Sequence, residues 1–483
     1  MYFQTKSLVI PFFRKTPKES RAFLPDYSTA ALNNGRLFLF SLYAVVAVAV
    51  LKRKCYNRCM SKTAKLKKRF YFVAAKYFRH FADRTLKRWQ PRVIAITGSA
   101  GKTTMLNLME HEMGKKAHYS HDANSAFGVS FDILGLKGVR GSKLRWIHLF
   151  VAAPFKALFS RHKEKFYVVE IDGERPHEAE FLAQWLKPEV TVWVSIGRSH
   201  AVQFEKEVEE GRFKNLDEAI TAEFANLPQN TTKRVYIDAN SKMMKAATKD
   251  ISAKVVPINK NIIKKYVVYP DSTDFTYGDT TFHFNHPEPK DIAFNLLVLQ
   301  DLMKYLKLPF KADFSDIKMA PGRCSYFKGK KGIDIVDSSY NAHMISMASV
   351  LDMAKRMHAE KKWLVIGDIV DQGSTEAEEH KKLAHLIAEV KPDKVILVGR
   401  RTKKYTAPEL KKLGVSAVAT LDPRKALEYI EKRSRGTETI IFKGSQYLEW
   451  IIEKLLADPK DAKKLCRREK AAVQRRKSWG LDS

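Results

Sequence analysis

The sequence predicts an α/β protein, and three observations support that prediction. Downstream of Pro91, short apolar strands alternate with amphipathic helical stretches, which is typical of a parallel sheet covered by helices. The first of these strands runs directly into a glycine-rich loop, and a helical pattern follows the loop. Upstream of Pro91 the chain is apolar and basic and lacks this alternation, so we expect a helical segment there instead of a part of the sheet.

The length of the chain predicts more than one domain. At 483 residues the chain is too long for a single core, since a domain commonly contains about 150 residues. We expect an N-terminal segment over residues 1–90, a central domain over 91–308, a C-terminal domain over 309–460 and a basic tail over 461–483. The boundary near Leu308 is placed where "KYLKLPFKADF" ends a helix.

The four cysteines predict neither a disulfide framework nor a zinc site. Cys55 and Cys59 form one close pair, without a second pair at the spacing that a zinc site needs, and Cys324 and Cys466 stand far apart. We therefore expect free thiols in a reducing compartment.

The net charge of +33 is the most unusual bulk property of the chain. Such a charge is compatible with nucleic acid, an anionic membrane surface or anionic substrates as partners. Fifteen lysines and arginines lie between Lys52 and Arg92, where Asp83 is the one acidic residue and aromatic residues are interleaved. This stretch predicts a basic amphipathic helix on an anionic lipid surface. A solvated linker helix is an equal alternative, and RNA binding is a weaker one.

Residues Leu37–Leu51 form an almost wholly apolar run, "LFLFSLYAVVAVAVL". The run is shorter than the roughly 20 residues that span a bilayer, but Arg36 and Lys52 flank it, and long basic side chains can reach lipid head groups. We predict a single N-terminal membrane anchor, with a buried core helix as the alternative. The basic residues after the run would place the rest of the chain at the cytoplasmic face of a bacterial membrane.

Eight apolar runs downstream of Pro91 are the predicted strands of the α/β region. Helical stretches separate most of them, which is the pattern of parallel α/β architecture. The runs are Val93–Thr97, Phe166–Glu170, Val190–Ser195, Val235–Ile237, Ile333–Val336, Trp363–Ile366, Lys394–Val398 and Thr439–Phe442.

The loop after the first strand predicts a nucleotide phosphate site. Glycines let the backbone curl so that its N–H groups face an anion, and the helix that follows adds its positive end. Lys102 would reach the β- and γ-phosphates, and the Thr103 hydroxyl would bind Mg²⁺. The loop is a shortened form, TGxxGKTT, because Ile96 stands where the usual motif has its first glycine. Its residues are Gly98, Ser99, Ala100, Gly101, Lys102, Thr103 and Thr104.

Further motifs follow this loop over roughly Pro91 to Trp450. They are "NSAFGVSFDILGL", "VVEIDGERPHEAEFLAQWLKPEVTVWVSIGRSHAVQF", "DIAFNLL", "PGRCSYF", "IVDSSYNAHMISM", "VIGDIVDQGSTEAEEH" and "FKGSQ". With the shortened loop, this series resembles the Mur ligase superfamily, ATP-dependent enzymes that join a carboxylate to an amine. The fifth motif is the most specific, since it is similar to the signature of the members that add D-alanyl-D-alanine to the cell-wall peptide.

The resemblance implies a fold and a set of site residues. The fold is a P-loop central domain with a parallel sheet, followed by a Rossmann-like C-terminal α/β domain. ATP and Mg²⁺ are the implied cofactors, with ATP bound between the two domains. The implied roles are magnesium binding by Thr103, Glu170 and His200, adenine contact by Asn295, phosphate contact by Arg323, and ribose or nearby nucleotide contact by Asp337, Tyr340 and Asn341. Glu170 also ends an apolar strand, where an open sheet places its ligand crevice.

Two departures from the superfamily affect the expected chemistry. Many members carry a carbamylated lysine in the helix after the histidine motif, and Glu223 aligns there in "NLDEAITAEFANL". We expect its carboxylate to replace the carbamate, with an ordinary helix glutamate as the alternative. Only about 90 residues precede the phosphate loop, and they do not read as the usual UDP-sugar-binding domain. A lipid-linked carboxylate acceptor is therefore the predicted partner of an amino acid or short peptide.

The function implied is ATP-dependent amide ligation through an acyl phosphate, in cell-wall or cell-surface polymer synthesis. Lys102, His200, Arg323 and Glu223 are the expected catalytic residues. A poly-glutamate-type ligase is one alternative, but such ligases lack the C-terminal motifs. A nucleic-acid-binding P-loop ATPase is another, favoured by the charge, but it leaves "IVDSSYNAHMISM" unexplained.

Overall fold

The computed structural model describes residues 71–121, 123–138, 143–198, 200–445 and 447–481. Helix α1 covers residues 71–89. From Arg79 onward the described chain clusters as one compact unit, and this unit contains two six-stranded sheets and one three-stranded sheet.

The first sheet is parallel throughout, in the order β2-β3-β1-β4-β5-β6. Strand β1 lies in the middle, between β3 and β4, so the loop that follows it opens at the carboxyl edge where a ligand crevice forms. The strands are β1 (Arg92–Thr97), β2 (Ala117–Tyr119), β3 (Phe166–Ile171), β4 (Val190–Trp193), β5 (Arg234–Asp238) and β6 (Lys254–Ile258).

Helices cover both faces of this sheet and bury its alternating apolar side chains. One core joins the sheet to α2, to α9 and to an antiparallel meander, β7-β8-β9. The other joins it to α7, with Trp193 and Phe224 fully buried. The elements are α2 (Lys102–Met113), α3 (Ala126–Leu134), α4 (Lys143–Phe159), α5 (Glu178–Leu186), α6 (Glu205–Glu209), α7 (Leu216–Gln229), α8 (Lys242–Ala247), β7 (Lys265–Val268), β8 (Thr273–Tyr277), β9 (Thr280–Phe284) and α9 (Ile292–Leu306).

The second sheet has the order β10-β11-β15-β12-β13-β14, with β10 antiparallel and the other pairs parallel. Successive side chains of β12 point to opposite faces of the sheet, as the two-residue period of a strand requires. Leu364 packs with α10 and α11, whereas Trp363 and Val365 pack with α13 and α14. The elements are β10 (Ser325–Lys328), β11 (Asp334–Ser338), α10 (Met344–Arg356), β12 (Lys361–Gly367), α11 (Glu376–Val390), β13 (Lys394–Val398), α12 (Ala407–Lys412), β14 (Ala417–Thr420), α13 (Pro423–Arg433), β15 (Glu438–Lys443), α14 (Leu448–Leu455) and α15 (Lys470–Lys477).

The α/β fold class is confirmed, and a strand lies at each of the eight predicted positions. The strands that sequence reasoning missed are short, as β2 is, partly exposed at a sheet edge, as β6 and β14 are, or antiparallel, as β10 and the meander β7-β8-β9 are. Such strands lack the continuous apolar run by which a buried parallel strand is recognised. Helix α9 ends at Leu306 and β10 begins at Ser325, on either side of the predicted domain boundary near Leu308.

The predicted membrane anchor is corrected. Among the residues that the structure describes, no helix combines the length and the apolar composition that crossing a bilayer demands. The run Leu37–Leu51, on which the prediction rested, lies outside the described residues. Helix α1 contains Lys76, Arg79, Arg84 and Lys87, and charged side chains of this kind disfavour a spanning helix.

Candidate active site

The phosphate loop after β1 adopts a conformation that requires glycine at two positions. Gly98 has φ 134° and Gly101 has φ 84°, both in the region that residues with side chains avoid. A Cβ on Gly98 would lie 2.6 Å from the backbone oxygen of Ser195, just beyond β4. The loop therefore lies directly on the backbone of the neighbouring strand connection.

Hydrogen bonds hold the loop against the segment that follows β4. Ser99 donates from its amide to the Ser195 oxygen at 3.2 Å and from its hydroxyl to the Gly197 oxygen at 2.7 Å. Helix α2 begins after Gly101 without a side-chain cap and without an acidic residue in its first turn, which also contains Thr104. The positive end of this helix is therefore available to an anion.

Lys102 is buried and folds back over the loop. Its Nζ donates to the Gly98 oxygen at 2.5 Å and lies 3.3 Å from Asp172 Oδ1. The ammonium group thus sits inside the curled backbone, beside a carboxylate that follows β3. A buried cation in this position attracts phosphate oxygens.

Three predicted site residues from distant parts of the chain meet at Thr103. The Thr103 hydroxyl donates to Glu170 Oε2 at 2.9 Å, and Arg323 Nη2 donates to Thr103 Oγ1 at 3.1 Å. The Arg323 guanidinium also lies over the Tyr340 ring, 4.7 Å from its centroid. Arg323 Nε is buried and has no hydrogen-bond partner among the described residues. It can therefore donate to an anion bound at the loop.

His200 belongs to a group of three side chains that could hold a metal ion, and the other two are Asp172 and Glu174. One ligand atom from each lies within 4.8 Å of the others, and His200 Nε2 is 3.8 Å from Glu174 Oε1. Burial, and then the charge of Asp172, raise the pKa of Glu174. Sequence reasoning missed both carboxylates, although they follow Glu170 closely at the end of β3.

His343 approaches the same group from the second sheet. It is buried, and its ring centroid is 5.3 Å from that of His200. Burial, followed by the charges of His200, Lys102 and Lys443, lowers the pKa of His343 to about 3. Sequence reasoning missed this residue too, because its position within "IVDSSYNAHMISM" indicated no specific role.

Two of the residues predicted to contact the nucleoside, Asn295 and Asp337, are buried, and Asn341 is half-buried. Asn295 is on α9, and its Oδ1 has no hydrogen-bond partner among the described residues. Asp337 lies in β11 and accepts a bond at Oδ1 from the Ser339 amide at 2.9 Å, while its Oδ2 has no partner among them. Burial raises the pKa of Asp337. The backbone oxygen of Asn341 accepts from Lys443 Nζ at 2.9 Å.

Comparisons with known proteins show similarity to one family of enzymes in sequence and in fold. A family model described as "Mur ligase, glutamate ligase domain" matches residues 322–446. The UDP-N-acetylmuramoyl-tripeptide–D-alanyl-D-alanine ligases of Buchnera aphidicola and Bacillus subtilis are each 22% identical to this chain. The first match covers 79% of both chains and the second 76% of both.

Solved structures show the same fold. MurF from Acinetobacter baumannii has a TM-score of 0.61 and is 19% identical, covering 79% of this chain and 80% of that one. MurF ligase from Thermotoga maritima, solved in complex with ADP, has a TM-score of 0.62 and is 18% identical, covering 81% and 84%. In fold, and in sequence over most of its length, the chain is similar to the Mur ligases. The resemblance stated from its motifs is confirmed.

Within this Mur ligase fold, Glu223 does not join the group around His200. Its two oxygens accept from the amides of His177 and Ala179 at 2.8 and 2.7 Å, at the start of α5. Burial raises the pKa of Glu223 to about 7. A Cβ on Gly173 would lie 3.2 Å from Glu223 Cγ, so the side chain lies behind the Asp172–Glu174 turn. The structure thus gives Glu223 a helix-capping contact.

The side chains present fit magnesium and a nucleoside triphosphate. Glu170, Asp172 and Glu174 supply the hard oxygen ligands that Mg²⁺ prefers. The unpartnered polar atoms of Arg323, Asn295 and Asp337 offer a donor and acceptors of the kinds that phosphate, adenine and ribose use.

The prediction of a single anchor at the cytoplasmic face of the membrane is wrong for the part of the chain that the structure describes, where no helix could cross a bilayer.

Proposed function

We propose that this chain is an ATP-dependent ligase that joins a carboxylate to an amine through an acyl phosphate. The observation that supports this most directly is the meeting of Glu170, Thr103 and Arg323 at one hydroxyl. A loop that only bound nucleotide would not need an arginine from the connection that leads into the second sheet. An arginine that closes on the phosphate loop places positive charge where a transferring phosphoryl group develops negative charge.

In this proposal the chain's part is positioning and charge neutralisation. The substrate carboxylate attacks the γ-phosphorus, so that a carboxyl-phosphate bond forms and ADP leaves. The amine then attacks the carbonyl carbon, the carbon–oxygen bond to phosphate breaks, and inorganic phosphate leaves with the bonding pair and takes up the proton that the amine loses. Lys102 and Arg323 hold the phosphate oxygens, and the amides of the first turn of α2 orient them. No side chain of the chain forms a covalent bond in this scheme.

We assign magnesium to the carboxylates at the carboxyl end of β3. Two sets of groups would hold it. One is Glu170 with the Thr103 hydroxyl, and the other is Asp172 and Glu174 with His200. When bound, magnesium would neutralise phosphate charge. Glu223 was expected to contribute, and its contacts with the start of α5 favour a supporting role instead.

The substrates follow by analogy with the relatives. The matched proteins are named for a UDP-N-acetylmuramoyl-tripeptide and for D-alanyl-D-alanine. We propose that the amine is an amino acid or short peptide of this kind, and that the carboxylate belongs to a muramoyl-peptide precursor. The many basic residues suit an anionic substrate of this class.

Phosphate release tests the reaction class. Purified protein with ATP and Mg²⁺ is expected to release phosphate only when both a carboxylate peptide and an amine are supplied. Stimulation by RNA or DNA instead would favour a nucleic-acid ATPase. Lys102→Ala is the negative control, and Lys115→Ala, an exposed lysine just after α2, is the matched control. Mass spectrometry of cell-envelope precursors, with and without Lys102→Ala, would identify the added residue.

A further inference from the structure

The chain returns to the nucleotide side of the site after α14, through Arg467. Arg467 Nη1 donates to the Ser339 oxygen at 3.0 Å, and Nη2 donates to the Tyr340 oxygen at 2.6 Å. One guanidinium therefore holds two consecutive carbonyls of the loop that follows β11. A planar fork of donors suits such a contact, because both bonds form from one rigid group.

A buried carboxylate keeps this guanidinium in place. Glu449, in the first turn of α14, is fully buried, and its Oε2 lies 3.1 Å from Arg467 Nη1. Arg467 has φ 56°, which is a left-handed conformation. Such a conformation costs free energy and persists only where the surrounding contacts maintain it. The neighbouring Cys466 Sγ lies 3.6 Å from Ser339 Oγ. The C-terminal segment is thus attached to the loop at more than one point.

The loop that Arg467 holds supports the arginine of the phosphate site. Tyr340 stacks with the Arg323 guanidinium at 4.7 Å, and Arg323 donates to Thr103 at 3.1 Å. A Cβ on Gly322, the residue before Arg323, would lie 3.2 Å from Cys466 Sγ. The C-terminal segment therefore contacts both the loop below Arg323 and the backbone beside it.

We infer that Arg467 is a positioning residue for ATP, since it fixes the Ser339–Tyr340 backbone on which Arg323 rests. It lies outside the matched Mur ligase domain, which ends at residue 446. The inference rests on the proposed function for its link to catalysis. Its structural part, that Arg467 orders the loop, can be measured independently of any reaction.

Arg467→Ala tests the inference against Arg468→Ala. Arg468 is the next residue, and its side chain pairs with Glu453 at 2.7 Å instead of the loop. Arg467→Ala is expected to raise the KM for ATP roughly tenfold or more, as the loss of charge-assisted hydrogen bonds predicts. The kcat should fall by a smaller factor. Arg467→Lys, which keeps the charge but loses the fork, should recover part of the ATP affinity.

Hydrogen exchange of the Ser339–Asn341 amides tests whether Arg467 orders the loop, separately from any effect of Arg467 on ATP binding. Exchange there should be faster in Arg467→Ala than in the wild type and unchanged in Arg468→Ala. If wild-type protein binds no ATP, the proposed function fails while the exchange data still decide whether Arg467 orders the loop. Unchanged exchange, unchanged KM, or equal changes in the two alanine variants would overturn the inference.

Discussion

Arg323 and Thr103 are 220 residues apart in the chain, and the arginine donates to the threonine hydroxyl at 3.1 Å. This contact joins the strand connection before the second sheet to the phosphate loop of the first. The same hydroxyl donates to Glu170 at 2.9 Å. The contact places a cation, a hydroxyl and a carboxylate within one hydrogen-bonded group, and a cation there can neutralise charge on a phosphoryl group.

Arg323→Lys is expected to reduce kcat/KM for ATP about ten- to hundredfold, because the compact ammonium of lysine lacks the planar fork of donors by which a guanidinium reaches both Thr103 and a phosphate oxygen. Steady-state phosphate release measures the effect. Arg356→Lys is the matched control, since Arg356 pairs with Asp352 on the exposed face of α10. Equal activity of the two variants would contradict a role for Arg323 at the phosphates.

Gly98→Ala should destabilise the fold and abolish nucleotide binding. Its Cβ would lie 2.6 Å from the Ser195 backbone oxygen, an overlap that costs about 1–3 kcal/mol or more in addition to backbone strain. Gly114→Ala provides the control, because Gly114 also has positive φ but a Cβ there meets nothing within 4 Å. Urea unfolding should show a larger loss for Gly98→Ala. Equal losses would mean that the close approach to Ser195 is unimportant.

The group Asp172, Glu174 and His200 should determine the magnesium requirement. Asp172→Asn and Glu174→Gln are each expected to raise the Mg²⁺ concentration for half-maximal activity about tenfold, and to weaken Mn²⁺ binding measured by titration. Glu223→Gln should leave metal binding unchanged and lower the melting temperature, because it disturbs the acceptor of the His177 and Ala179 amides. Loss of metal binding in Glu223→Gln would restore its predicted role as a replacement for the carbamate.

Lys443 should make stability depend on pH in the alkaline range. Burial lowers the pKa of Lys443 from 10.5 to about 8. Between these values the unfolded chain retains a proton that the folded chain has lost, so this residue's contribution to the free energy of unfolding rises with pH. The cost of burying its charge is fully present below about pH 8. Across the window we expect a change on the order of 3 kcal/mol.

Lys443→Met, which keeps the length of the side chain without its charge, isolates this effect. As pH rises from about 8 to above 10, the unfolding free energy of the wild type should increase relative to that of the variant. Chemical denaturation at several pH values measures it. A constant difference would contradict the lowered pKa.

Local sequence determined the first strand, the phosphate loop and the helix that follows the loop. The strand from Val93 to Thr97, the glycines at 98 and 101, and the helix from Lys102 are adjacent, and their conformations follow from backbone sterics. The resemblance to the Mur ligases also came from short motifs in a fixed order. These features indicated the fold class and most of the phosphate site.

Tertiary structure alone decided which side chains meet. Asp172 and Glu174 come near His200 because the segments after β3 and β4, the strands on either side of β1, meet at the carboxyl edge of the first sheet. Glu223 instead accepts from amides at the start of α5, because α7 packs against α5. Arg467 reaches Tyr340 from 127 residues away. Such contacts depend on the burial and packing of whole elements. A local sequence pattern predicts single helices and strands, but it does not predict the distance between residues that are far apart in the chain.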